Sequence, residues 1–130
     1  MSLPTLKFTA LFALVLVFLA GCSDGPGKAG PVDPAKAKKT LETTLNAWKA
    51  GKKIEALAQE EPPIVAQDFD WMAGKKLASF QVQGDGAAQD ANLRIPVKLS
   101  LQEGDGETVD KTVIYIVGTD IKLTVFRALE

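Results

Sequence analysis

The second half of the chain alternates apolar and polar residues with a period of two, and this pattern constrains the fold more than any other feature. From Lys75 onward it predicts strands, because side chains along a strand point alternately to opposite faces of a sheet. The four predicted strands are 78–82, 93–101, 108–117 and 121–129. Turns at 84–86, 104–106 and 118–120 separate them, so consecutive strands are expected to pair as antiparallel hairpins in a meander.

The residues before the strands follow a helical period instead. Four apolar side chains are spaced by four, four and three residues, which places them on one face of a helix. They are Ala37, Leu41, Leu45 and Trp48. Asp33 suits the cap of the first turn, Pro34 the first helical position, and Gly51 the left-handed residue after the last turn. The sequence therefore predicts a helix between Pro34 and Gly51 whose apolar face packs into the core.

Shorter elements are predicted between this helix and the strands. Residues 53–59 have helical spacing before a Pro-Pro pair, and 64–67 predict a brief strand. Asp68 and Gly74, at the head and tail of the next segment, are typical of a single helical turn. Helices followed by an antiparallel sheet predict an α+β domain in which the sheet wraps the helix. The predicted core comprises Leu41, Leu45, Trp48, Phe80, Ile95, Val97, Ile114 and Val125.

The amino terminus carries an apolar run that ends at the chain's single cysteine. Residues 8–20 are almost entirely apolar, too short for a membrane-spanning helix of about 20 residues but typical of a signal-peptide core. Leu19-Ala20-Gly21-Cys22 then resembles the lipobox of bacterial lipoproteins. The resemblance implies that Cys22 is acylated after cleavage just before it, and that Leu19, Ala20 and Gly21 form the signal-peptidase recognition site. The alternative is an ordinary secreted protein with a free thiol.

The lipobox resemblance also sets the expected domain organisation and location. Residues 1–21 are the signal peptide, 22–33 the lipidated cysteine with a flexible Gly/Pro tether, and 34–130 the α+β domain. Acyl chains on Cys22 would hold the protein to a membrane of the bacterial cell envelope. By the sorting pattern of enterobacterial lipoproteins, Ser23 directly after the cysteine favours the outer membrane, facing the periplasm, over the inner membrane.

The element order resembles the NTF2-like fold, also called a cystatin-like α+β roll. The resemblance covers residues 34–130 and rests on the order helix, helix, short strand, short helix, four strands. The chain is also similar to small bacterial lipoproteins with Tyr-x-Val-Gly-Thr before the last strand, here residues 115–119. NTF2-like folds form a cone whose mouth holds a ligand or an active site in some members. Steroid-isomerase-like members use an aspartate base with a tyrosine donor.

Two function classes stay open. The first is a non-catalytic binding or scaffold module for an envelope protein or a small apolar ligand, with Asp70, Trp71 and Tyr115 as candidate contacts. The second is a small isomerase or hydrolyase that uses an Asp/Tyr pocket built from Asp68, Asp70 and Tyr115. The first is favoured, because the chain has no histidine to act as a base near neutral pH. Both aspartates also have capping positions, where water and backbone amides are expected to keep them ionised.

Other ligands are disfavoured by composition and spacing. The chain's 15 Lys and Arg nearly balance its 16 Asp and Glu, and the Lys38-Lys39, Lys52-Lys53 and Lys75-Lys76 pairs are interpreted as solvated surface, so no nucleic-acid partner is predicted. Turns 84–90 and 104–110 share a G-D-G-x-x-x-D pattern. They are expected at opposite ends of the strand they share, so their carboxylates cannot form one calcium site. No metal or cofactor is predicted.

Overall fold

The computed structural model describes residues 30–129, and these residues form an α+β domain, as predicted. The elements in chain order are α1 Pro34–Lys49, a 3-10 helix Ile54–Gln59, β1 Ile64–Gln67, α2 Phe69–Met72, β2 Lys76–Val82, β3 Ala87–Gln89, β4 Asn92–Gln102, β5 Thr108–Gly118 and β6 Leu123–Arg127. The predicted signal peptide and the lipobox at 19–22 lie outside the described residues. Among residues 30–129, no helix is long and apolar enough to cross a membrane.

The strands form one mixed sheet in the order β1-β6-β5-β4-β2, with β3 also paired to β4. Strands β2, β4, β5 and β6 pair antiparallel, as predicted. The prediction of a four-stranded, wholly antiparallel sheet is wrong, because β1 joins the edge parallel to β6 and β3 adds a short strand. The predicted strand 64–67 is confirmed as β1, but its pairing with β6 was not predicted. β3 was not predicted, because all of its side chains are exposed and it shows no alternation.

Helix α1 begins and ends where its flanking residues predict. The Asp33 side chain accepts a hydrogen bond from the Lys36 N–H at 3.1 Å, and Gly51 has a φ of 85°, a conformation that favours glycine. The residues of its predicted apolar face are all buried, namely Ala37, Leu41, Leu45 and Trp48. This face packs on the sheet, and Val32, in the predicted tether, is buried with it.

The two ends of α1 lie at opposite ends of the domain. At the start of the helix, the Asp33 N–H donates to Thr119 Oγ1 in the β5–β6 turn at 3.1 Å. At the other end, the Trp48 indole reaches the backbone just before β2. The strand register is consistent with this arrangement. Asn92, at one end of β4, pairs with Gly118 next to the β5–β6 turn. Gln102, at the other end of β4, pairs with Lys76 at the start of β2.

Most of the predicted core is confirmed. The buried members are Leu41, Leu45, Trp48, Ile95, Val97 and Val125. Phe80 is half-buried and packs against them. The assignment of Ile114 to the core is wrong. Strand β5 directs Val113, Tyr115 and Val117 toward the core, so Ile114 lies on the opposite face of the sheet.

A bulge in β2 changes which side chains of that strand face the core, so the predicted inward face is partly wrong. The register between β2 and β4 shifts between Leu77 and Ser79, so Ala78 is an extra residue and is exposed. Leu77, which the alternation assigned to the polar side, is buried instead. The bulge allows Leu77 and Phe80 to face the core together, although three positions separate them.

Candidate functional site

Two stacked tryptophans join α1 to α2. The ring centroids of Trp48 and Trp71 are 5.3 Å apart and their planes differ by 3°. The Trp48 indole N–H donates to the Lys75 carbonyl at 2.8 Å, and the Trp71 indole N–H donates to the Lys52 carbonyl at 3.0 Å. Lys52 follows Trp48 in the chain and Lys75 follows Trp71, so the two hydrogen bonds cross. Each tryptophan thereby fixes the segment that follows the other.

A pocket of about 670 Å³ opens beside the tryptophans. This volume is within the range of about 300 to 1,000 Å³ that ligand pockets occupy. Its apolar lining includes Trp48, Ile54, Trp71, Met72 and Leu77. A second pocket of about 380 Å³ shares Gly74, Lys75, Lys76 and Gln102 with it and extends to the β4–β5 turn. The two pockets therefore adjoin, and together they form what we call the groove.

Lysines dominate the rim of the larger pocket, which we call the lysine-rimmed pocket. Its cationic residues are Lys49, Lys52, Lys53, Lys75 and Lys76, all exposed. Its one acidic lining residue is Glu55. Lys75 pairs with Asp70 at 3.5 Å, whereas the other four have no ion pair among residues 30–129. The fold therefore gathers two lysine pairs that the sequence presents only as separate solvated surface.

A second polar cluster lies inside the domain and centres on the Asp68 carboxylate. Asp68 caps α2, because its Oδ1 accepts hydrogen bonds from the Asp70 N–H at 2.9 Å and the Trp71 N–H at 3.1 Å. Its Oδ2 accepts a hydrogen bond from the Tyr115 hydroxyl. Arg127 Nη1 lies 3.2 Å from Oδ1 and 3.3 Å from Oδ2. The predicted capping role is confirmed, and the same carboxylate also joins α2 to β5 and β6.

Asp70 completes this cluster and is surrounded by cations. Its Oδ2 lies 2.9 Å from Arg127 Nη2 and 3.0 Å from Lys111 Nζ, and its Oδ1 lies 3.5 Å from Lys75 Nζ. The Arg127 side chain is 4 % exposed, and its guanidinium carbon lies 4.3 Å from the centre of the Phe69 ring. One buried guanidinium thus bridges both aspartates.

The surroundings shift three pKa values in the cluster. Burial alone would raise the pKa of Asp70, but hydrogen bonds and charge from Lys111 and Arg127 outweigh burial and lower it. Burial and the Asp68 carboxylate raise the pKa of Tyr115, so its hydroxyl stays protonated as a donor. Burial opposes the charge on Arg127, but Asp68 and Asp70 outweigh it and raise that pKa. None of these three groups is therefore placed to exchange a proton near neutral pH.

The expected surroundings of the aspartates are wrong. Asp68 and Asp70 are 3 % and 6 % exposed, so bulk water does not hold them. Asp68 accepts from backbone amides, as expected, whereas the partners of the Asp70 carboxylate are cations and its predicted capping role is wrong. Asp70 and Tyr115 do enter one cluster, through Asp68 and Arg127, but Trp71 belongs to the lysine-rimmed pocket.

The buried cluster offers a substrate little access. A pocket of about 80 Å³ touches Arg127 beside Phe69, and neither aspartate nor Tyr115 lines it. In the described part of the chain, every buried side-chain nitrogen and oxygen has a hydrogen-bond partner. No group of three or more His, Cys, Asp or Glu in residues 30–129 is arranged to hold a metal ion. The packing and pairing are those of a structural network.

Arg127 and Lys111 are members of the cluster that the sequence analysis missed. A signal for Arg127 was present, because Leu123, Val125 and Arg127 alternate along β6 and all three point inward. A cation at an inward position of a strand indicates a buried anion, since a buried charge needs a partner. Lys111 shares a face of β5 with Val113 and Tyr115, but it is half-buried at the less buried end of the strand, so its signal was weaker.

Asp70 is expected to make the folded state sensitive to acid. Because its pKa is lowered in the folded state, its contribution is present above its ordinary pKa of about 4 and is lost as pH falls through the lower, folded value. We therefore expect the free energy of unfolding to decrease more steeply below about pH 4 in the wild type than in Asp70→Asn. Denaturant unfolding across pH measures this, with exposed Asp85→Asn as the control. Parallel curves for the wild type and Asp70→Asn would contradict the ion-pair assignment.

Comparison of the chain with protein-family models, with curated proteins and with solved structures gives no match.

Proposed function

We propose that the chain is a lipid-anchored protein of the bacterial cell envelope whose folded domain is a non-catalytic binding module. The observation that carries the binding role is the lysine-rimmed pocket. It combines an apolar lining with polar groups at the rim, which is the composition of ligand sites in general. An envelope protein or a small apolar ligand would bind there, with Trp71 as a contact, and no cofactor is required.

The lipid anchor is proposed from Leu19-Ala20-Gly21-Cys22. The apolar run, the small residues and the single cysteine support it together, and Ser23 favours the outer membrane facing the periplasm. The proposed architecture for the domain is a variant of the NTF2-like, or cystatin-like, roll. Helix α1 packed on one face of a sheet with antiparallel neighbours supports that likeness, and the parallel edge strand β1 is a departure from it.

A small isomerase or hydrolyase is the second candidate. The approach of Tyr115 to Asp68, with Asp70 nearby, is the one observation in its favour. Against it, the carboxylates are paired with Arg127 and packed under α2, and a general base must be able to reach the proton that it removes. The binding role is therefore the better supported of the two.

Replacement of Cys22 by serine is expected to abolish acylation and normal cleavage, because the serine hydroxyl cannot replace the thiol as the acylated group. The measurements are palmitate labelling and mass spectrometry of the mature amino terminus. Ser23→Ala is the matched control and should remain acylated. A native chain that is unlipidated, or that begins elsewhere than Cys22, would contradict the anchor without bearing on the pocket.

A further inference from the structure

We infer that the lysine-rimmed pocket binds an acidic peptide segment of a protein partner, which inserts an apolar side chain beside the tryptophans and places carboxylates at the lysines. This inference rests on the proposed binding function and names the class of ligand.

The charge of the rim indicates an anionic ligand. Five of the chain's 15 Lys and Arg line this one pocket. The opposing charges are Glu55 in its lining, Asp70 paired with Lys75, and Glu103 in the adjoining pocket. The whole chain has a formal net charge of −1, so the positive charge is concentrated locally rather than spread over the surface. Clustered like charges repel one another and raise the local concentration of counter-ions. Carboxylates from a partner would relieve that repulsion.

The backbone that carries the rim lysines is also held in place before any ligand binds. The crossed hydrogen bonds from Trp48 to the Lys75 carbonyl and from Trp71 to the Lys52 carbonyl hold both lysine-bearing segments. The tryptophans themselves are 3 % and 7 % exposed, so their positions are set by packing. A preorganised site loses less conformational entropy when it binds.

The shape and lining of the site favour a peptide. The groove continues from the lysine-rimmed pocket past Lys76 and Gln102 to the β4–β5 turn, which suits an extended segment. Met72 is 64 % exposed at the pocket, and Ile54 is half-buried there. These side chains provide a contact for an apolar residue of the ligand, and methionine adapts its shape to different partners.

The location of the pocket favours a partner over the anchoring lipid. The chain reaches the domain at the start of α1, beside Thr119, whereas the pocket lies at the end of α1. A helix of 16 residues separates these points by about 24 Å. In the proposed lipid-anchored protein, the pocket is therefore at the end of the domain away from the tether.

The test uses the full-length protein in a neutral detergent and a fluorescein-labelled, glutamate-rich peptide with one central phenylalanine. Fluorescence anisotropy is expected to show saturable binding that weakens as salt is raised. Lys52→Glu with Lys53→Glu should reduce the affinity at least about tenfold, and Lys38→Glu with Lys39→Glu, the same charge change on α1, by less than about twofold. Thermal unfolding of both variants verifies that they fold.

Two further probes separate failure of the ligand class from failure of the binding function. They are the same peptide with glutamine for glutamate, and vesicles containing phosphatidylglycerol. Equal loss of affinity in both lysine variants, or no binding of the acidic peptide, overturns the inference. Binding of the glutamine peptide or the vesicles alone also overturns it but leaves a binding function in place. No binding of any probe argues against the binding function as well.

Discussion

Replacement of Arg127 by methionine is expected to lower the free energy of unfolding by about 3 to 5 kcal/mol, because it leaves buried carboxylates without their shared cation. Arg127 is within 3.3 Å of both oxygens of Asp68 and 2.9 Å from Asp70 Oδ2, and its side chain is 4 % exposed. Methionine keeps most of the volume, so lost packing contributes little. Equilibrium denaturation of the variant and the wild type at neutral pH measures the difference.

Lys111→Met is the matched control for Arg127→Met. Lys111 also pairs with Asp70, but its side chain is 37 % exposed, and Asp70 keeps its ion pairs with Arg127 and Lys75 when Lys111 is lost. Its loss is expected to cost at most about 1 kcal/mol. Equal effects of the two substitutions would show that the cluster is open to solvent, contrary to the packing described above.

Replacement of Trp48 by alanine is expected to cost about 3 to 5 kcal/mol, because it removes a large buried side chain and leaves a cavity. Trp48 is 3 % exposed, stacks on Trp71, and donates to the Lys75 carbonyl. The substitution therefore also releases one of the two lysine-bearing segments at the pocket. Denaturation midpoints and slopes of the variant and the wild type provide the measurement.

Met72→Ala provides the control for Trp48→Ala in the same pocket. Met72 is 64 % exposed, so its truncation should change the free energy of unfolding by no more than about 0.5 kcal/mol. A denaturation midpoint for Trp48→Ala close to that of Met72→Ala would mean that α1 does not pack on the domain as described.

Local signals in the sequence predict α1 and the turn at α2 well. Asp33 and Asp68 accept the backbone hydrogen bonds that their positions suggest, and Gly51 and Gly74 have φ of 85° and 92° after the two helices. Each of these features depends on residues within one or two turns of a helix. The physical causes are therefore contained in short stretches of sequence.

Features that depend on distant partners were not predictable in the same way. The parallel pairing of β1 with β6 joins residues 59 positions apart, such as Ile64 and Leu123. The hydrogen bond between Asp68 and Arg127 also spans 59 positions. A polar residue at the head of a short helix is sufficiently explained by capping, so nothing local indicates that Asp68 is also buried beside an arginine. The assembly of the two lysine pairs around one pocket likewise follows from the crossed tryptophan contacts.

Intrinsic tryptophan fluorescence tests most directly whether an acidic segment binds beside Trp48 and Trp71. The chain has 2 tryptophans, and both line the lysine-rimmed pocket. Titration with the unlabelled glutamate-rich peptide, which contains no tryptophan, is predicted to change their emission saturably at the concentrations where anisotropy reports binding. In Lys52→Glu with Lys53→Glu, that change should move to at least about tenfold higher peptide concentration. Peptide binding by anisotropy with unchanged tryptophan emission would place the ligand elsewhere on the domain and contradict the account.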